Sequence, residues 1–296
     1  MTNGVTIASL ETIKLRETNY ELGTYQLPEH EELLILAKTY PSPSTKYRET
    51  TCVAAVNRAG ELRRIFPVPF RLLEGQSQFQ KWEWINANIT KANGDIRPES
   101  HRIDVDTVSK TGEKIGTESS WANRLKWIEP HIMPSFEALE FRRQTTGQTL
   151  GFLRPTRLVS LDISVVKEAE WTEKDKENLR RDGLFDSEEV KKRLPLEKIG
   201  HDFYYQYECI SDTGIELKRH KIIDWEAGAL YRNCYRTNGS KWEQKFREKY
   251  ETEFAQKDLL LMLGTMHRFP DQWLIIGVIY PPMRSIVHSV QELLDL

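Results

Sequence analysis

The chain has 296 residues, 39% apolar and 29% charged, with 42 Lys and Arg against 44 Asp and Glu for a formal charge of −2. That length allows one large domain or two of ordinary size, each with its own core. Near-neutrality excludes wholesale electrostatic attachment to nucleic acid, so any such contact must come from a local patch, and no run approaches the roughly 18 apolar residues of a membrane helix.

The start lacks the basic-then-apolar order of a secretory signal, so a cytoplasmic protein without membrane contact is expected. Cys52, Cys209 and Cys234 are an odd number in apolar or aromatic settings, which suits reduced, mostly buried thiols. Residues 1–31 are polar with weak periodicity and read as an N-terminal arm. Leu33-Leu34-Ile35-Leu36-Ala37 is short enough for a buried strand. It ends at Tyr40-Pro41, and Pro41-Ser42-Pro43-Ser44 forces a turn because proline removes ladder donors. Thr51 to Val56 is a second strand. Asn57-Arg58-Ala59-Gly60 is a hairpin into a third, Leu62 to Val68, where adjacent Arg63 and Arg64 point to opposite faces. Trp82 to Ile89 alternates as a fourth strand, with Trp82, Trp84, Asn86 and Asn88 on one face and Ile85, Ala87 and Ile89 toward the core. A fifth short strand runs from His101 to Asp106. Thr117 to Ile128 reads as a helix capped by Thr117 or Ser119, and Phe136 to Arg143 as another opened by Pro134-Ser135. Strand character returns at Leu150 to Leu153.

A second module is expected to begin near Pro155. Leu158 to Val166 alternates as a strand, and the charged stretch from Glu168 to Glu197 reads as two solvated helices broken at Asp182-Gly183, with Trp171, Leu179 and Leu184 touching the body. Asp202 to Cys209 is a strand whose Phe203, Tyr205, Tyr207 and Cys209 face the core. Ile222 to Glu226 leads into a helix carrying Leu230, Tyr231 and Cys234. Lys241 to Phe254 is a second amphipathic helix, with Trp242, Phe246 and Tyr250 at spacings of four. Asp258 to Leu263 and Trp273 to Tyr280 are apolar strands separated by the polar loop Gly264 to Pro270, and Ser285 to Leu296 is a short amphipathic tail.

No GxGxxG, GxxxxGK[ST], GxSxG or HExxH occurs, nor cysteine pairs at zinc-ribbon spacing, which lowers the standing of familiar Rossmann, P-loop, serine-hydrolase and zinc chemistries. Three constellations remain. Lys46, Tyr47, Arg48, Arg63, Arg64, Arg71 and Lys81 lie near Trp82 and Trp84, and such cations meet phosphates while flat rings stack bases at about 1–3 kcal/mol each. The alternative is that these arginines pair with Glu49, Glu61 and Glu74 on an ordinary surface. His220 and Asp224, four apart, with Glu226 could bind a metal if a helix already began there; otherwise Asp224 is an N-cap and Glu226 complements the helix dipole. His267 sits in a strand-end loop, where binding groups often lie and where an exposed hairpin histidine would look the same.

The residues KTYPSPSTKYRETTCVAAV, GELRRIFPVPFR, KWEWI and DIRPESHR resemble a family of bacterial proteins with a dual OB-fold domain, many of which accompany mobile-element or phage-defence loci. The likeness covers roughly the first half. The second half, with YECI, IIDWEAGALYR and DLLLMLGTMHRFPDQWLIIGVIYPP, looks like a segment of uncharacterised bacterial proteins, some with a further cysteine before the histidine; here no second cysteine follows Cys209 before His220, which leaves a Cys/His metal site without its ligands. The resemblance implies a binding module in a multi-gene, antiviral defence system, and no catalytic residues transfer with it.

The expected fold is α+β: two β-rich, OB-like barrel modules with inserted helices, over residues 32–155 and 156–296 after the arm of 1–31. The expected function is a non-enzymatic accessory subunit that binds nucleic acid or a nucleotide through the first module and a protein partner in a complex through the second, with no cofactor or metal. The alternative is a metal-dependent nuclease or hydrolase using His220, Asp224, Glu226 and His267, separable by divalent-ion titration.

Overall fold

Six strands form the first sheet: β1 (Glu29–Lys38), β2 (Ser42–Ser44), β3 (Arg48–Asn57), β4 (Leu62–Val68), β5 (Glu83–Lys91) and β6 (Ser100–Lys114). The structure is a computed structural model, and it describes residues 27–181 and 188–283. The sheet runs β1-β5-β6-β4-β3-β2, and β1 also pairs with β3, so the five long strands close on themselves. Only β4 and β6 pair in parallel; the other ladders are antiparallel, which is the circuit of an OB-type barrel. The interior is aliphatic, built from Leu33, Ile35, Val53, Ala55, Ile65 and Ile85. The β3–β4 hairpin turns at Gly60, whose φ of +83° suits a residue without a Cβ. Glu29 to Glu31 belong to β1, so that part of the expected arm is strand. The rest of the arm to residue 26, the Asp182-Gly183 break with Leu184, and the tail from Ser285 lie outside the described residues.

The second sheet contains β7 (Ile132–Met133), β8 (Leu150–Leu153), β9 (Arg157–Val165), β10 (His201–Ser211), β11 (Gly214–Ile222), β12 (Leu260–Met266) and β13 (Phe269–Ile279), in the order β7-β8-β12-β13-β11-β10-β9. β8 pairs with β12 and β9 with β10, yet only residues 154–156 separate β8 from β9. The two behave as halves of one strand bent at Pro155, which cannot donate to a ladder. Counted that way, the second circuit repeats the first, including a parallel pair between β11 and β13. The expected module boundary at 155 is corrected by this pairing: β7 and β8 belong to the second barrel, and the break falls near residue 131. β11 was not anticipated, because GIELKRHKI alternates charge with apolar residues on a face left open to solvent; Ile222 closes this strand before the helix begins. The presumed loop from Gly264 to Pro270 is mostly strand, with the turn confined to His267-Arg268.

Among the described residues six α-helices decorate the barrels: α1 (Ala122–Ile128), α2 (Phe136–Thr146), α3 (Glu173–Arg180), α4 (Glu188–Lys191), α5 (Trp225–Asn238) and α6 (Trp242–Arg247). Ser135 caps α2, accepting from Ala138 N–H at 3.1 Å, and Thr172 caps α3. α6 continues as a π-helical turn, Glu248–Glu253. No described helix is long and apolar enough to cross a membrane.

Three buried clusters hold the molecule together. One fills each barrel, and the third lies between them, where Leu34, Ala54, Val56, Leu62 and Trp84 of the first meet Leu150, Met262, Leu274 and Ile276 of the second, roofed by Leu125 and Ile128 of α1. Gly277 marks the closest approach: a Cβ there would stand 2.7 Å from the Cβ of Ala37. Apolar burial of this kind contributes about 25 cal/mol per Å².

Candidate functional site

The anticipated open wall on the first barrel is covered. Trp84 is fully buried and Trp82 is 3% exposed, because the second barrel packs on the outer face of β1, β3 and β5. The guanidinium of Arg63 is held by Glu31 at 2.7 Å and Glu61 at 2.6 Å, and that of Arg71 by Glu49 at 3.2 Å and the Leu194 carbonyl. Arg64, 4% exposed, donates to Thr149 Oγ1 at 3.0 Å and lies 3.8 Å from Glu99. These contacts correct the assignment of Arg63, Arg64, Arg71 and Trp84 to a ligand face. Lys46 and Tyr47 occupy the β2–β3 turn, with Lys46 Nζ 5.1 Å from the Tyr47 ring, and Arg48 opens β3.

His220, Asp224, Glu226 and His267 do not converge either. His220 lies on β11, where its Nδ1 pairs with Tyr207 Oη at 2.9 Å and burial pushes its imidazole down to about 4. His267 sits at the β12–β13 tip, 3.6 Å from Asp95. Asp224 caps α5, one oxygen accepting from Glu226 N–H at 3.1 Å and the other from Val278 N–H at 3.0 Å. Among the described residues no group of three or more His, Cys, Asp and Glu side chains is placed to hold a metal ion.

Sequence reasoning missed a cleft of about 730 Å³ at the seam, where the ends of β1 and β6 and the Lys81-Trp82 corner face α1, α5 and the π-helical turn. Five cations line it: Lys38, Lys81, Lys114, Arg124 and Lys249. Lys81 pairs with Glu226 at 3.0 Å and Lys249 with Glu253 at 2.6 Å. Among the described residues, Lys38, Lys114 and Arg124 have no carboxylate at ion-pair distance. Lys38 donates to the Phe79 carbonyl at 2.9 Å, with its ammonium 3.6 Å from the Phe70 ring centre. Burial pushes that ammonium down to about 8 against the opposing pull of Glu226 and Asp224. Arg124 donates twice to the Ile115 carbonyl, at 3.0 and 2.9 Å, and its guanidinium lies 5.0 Å from the Trp82 ring and 4.6 Å from Trp121. Burial lowers its pKa as well. Asp224 is the fixed acid of the floor, pushed up to about 6 by burial despite Lys81.

The aromatic lining is held by unusual backbone. Trp82, Ser119, Ser120 and Trp121 have φ of 67°, 51°, 53° and 71°; among the described residues only one other non-glycine, Arg48, has positive φ. Each such residue costs about 1–2 kcal/mol, and strain of this sort gathers where side chains must be aimed. It also overrides the expected caps: α1 begins at Ala122 with no side-chain cap. Across the cleft, Lys249 and Tyr250 project from the π-helical turn, a rare conformation found frequently at functional sites. Cations for an acid group and the partly exposed ring of Trp121 for a flat one therefore share a single concave surface.

Residues 132–295 match a family described as Domain of unknown function (DUF8757). The chain belongs to that family. Residues 29–130 match a second, Domain of unknown function (DUF8758), and the junction between the two matches falls where the sheets divide. No curated protein matches. Among solved structures, the chain is similar to one in a replication protein A heterotrimer bound to ssDNA, at 10% identity and a TM-score of 0.25, over 91% of this chain and 69% of that one.

Proposed function

We propose that this protein binds a nucleotide or the nucleotides of a nucleic acid in the cleft between its barrels. The observation that carries this reading is the cleft's lining: Lys38, Lys114 and Arg124, none paired with a described carboxylate, stand beside Trp82 and Trp121 on left-handed backbone. Phosphate oxygens suit the cations, and a base suits the partly exposed ring of Trp121, which the buried Trp82 backs edge-on. Membership of a bacterial multi-gene antiviral system, as an accessory subunit with a protein partner, finds its support in the resemblance of the first half to dual OB-fold proteins of such loci.

The test is a titration of ATP and of a short oligothymidylate, followed by tryptophan fluorescence. Lys114→Gln and Arg124→Gln should each weaken binding about tenfold or more, the loss of one charge-assisted hydrogen bond, and affinity should fall as salt is raised. Lys46→Gln, on the β2–β3 turn, should leave it unchanged. Binding that responds to Lys46 and ignores Arg124 would return the ligand to the outer hairpins.

A further inference from the structure

Glu226 stands among the cleft's cations, and its carboxylate acts electrostatically on Lys38, Lys81 and Arg124, which come from three separate elements. Its Oε2 lies 3.0 Å from Lys81 Nζ, and 46% of the side chain is exposed. The neighbouring acid differs. Asp224 is 2% exposed with both oxygens bound to backbone N–H groups, so it cannot leave. Glu226 can, since among the described residues its side chain accepts only from Lys81. Lys81 would not follow it, because the same ammonium donates to the Val278 carbonyl at 2.9 Å.

We propose that Glu226 is a tethered competitor: it occupies Lys81 in place of the ligand's phosphate and swings aside when a phosphate of sufficient charge arrives. This rests on the cleft reading above. A like charge beside the phosphate opposes binding, and a ligand of higher charge offsets the lost Lys81–Glu226 pair more fully. The side chain thereby lowers affinity for every phosphate ligand at this site by the cost of its displacement.

AMP, ADP and ATP titrated into the wild type, Glu226→Gln, Glu226→Ala, Lys81→Met and the Lys81→Met/Glu226→Gln double variant test it, with thermal unfolding confirming that each variant folds. Glu226→Gln should tighten ATP about tenfold, removal of one nearby like charge. Glu226→Ala should follow it, and the gain should shrink in the Lys81→Met background. Wild-type binding that both Glu226 variants leave equal or weaken would overturn the competitor role while the cleft stands. Binding by neither wild type nor variant would overturn both.

Discussion

The two barrels share one strand circuit and put it to different uses. In the first, the outer face of β3 and β4 is small and apolar, with Ala54, Val56 and Leu62, and it is spent on docking to the second. In the second, the equivalent face of β10 and β11 carries Tyr204, Gln206, Arg219 and Lys221 and stays open, with Arg219 stacked 3.8 Å from the Tyr204 ring and paired with Asp162. The connections differ likewise. β4 passes to β5 through short 3₁₀ turns, whereas β11 passes to β12 through α5 and α6. An aromatic column descends from α6: Phe246 to Tyr250 at 4.8 Å, Tyr250 to Phe254 at 4.9 Å, Phe254 to Tyr280 at 4.4 Å. It fills the second barrel and ends in the cleft wall. Identical topology thus leaves the binding surface to be decided by which outer face is buried and by what the crossover carries.

The most severe way to break this arrangement is at the seam. Trp84→Ala should cost about 3–5 kcal/mol in urea unfolding, since a fully buried indole packed on Trp127 at 5.0 Å is lost. Both barrels should still melt in one transition; two separated transitions would show that the docking is weaker than the shared core implies. A smaller effect comes from Lys38. Its folded-state pKa of about 8 lies below the ordinary 10.5, so the unfolded chain holds the extra proton between those values and stability rises with pH across that window. Affinity for a phosphate should move the other way, falling as the ammonium is lost above about pH 8. Lys38→Met should flatten both profiles, and unchanged profiles would remove Lys38 from the cleft's chemistry. The smallest effect is Ser120→Gly. Relief of a left-handed serine, offset by a freer unfolded chain, should hold the stability change within about 1 kcal/mol. Ligand affinity should drop because Trp121 loses its fixed aim; equal affinity would make the strained turn irrelevant to binding.

Much of the first barrel was legible. Leu33 to Ala37, Thr51 to Val56 and Leu62 to Val68 lie within β1, β3 and β4, and the split of Ile85, Ala87 and Ile89 from Trp84 is the split between two cores. What covers Trp84 was not legible, because Leu150, Met262 and Ile276 come from far along the chain and nothing local announces their docking. Arg63 and Arg71 showed the same limit: Glu31 and Glu49, which hold them, lie 32 and 22 residues away along the chain, and pairing rather than exposure won. Pro155 reads as a linker because a bend inside a strand has the same composition. The cleft was hidden for a stronger reason. Its cations lie at positions 38, 81, 114, 124 and 249, on separate segments, and the backbone that aims Trp82 and Trp121 adopts a conformation their side chains disfavour.

The shared core at the seam makes the halves dependent on each other. A chain divided at residues 131 and 132 would yield one fragment showing Val56, Leu62 and Trp84 to water and another showing Met262, Leu274 and Ile276. Neither face resembles the polar exterior of a free-standing domain. The two faces are complementary, so the fragments are expected to pair when co-expressed, and co-purification of one with the other checks it.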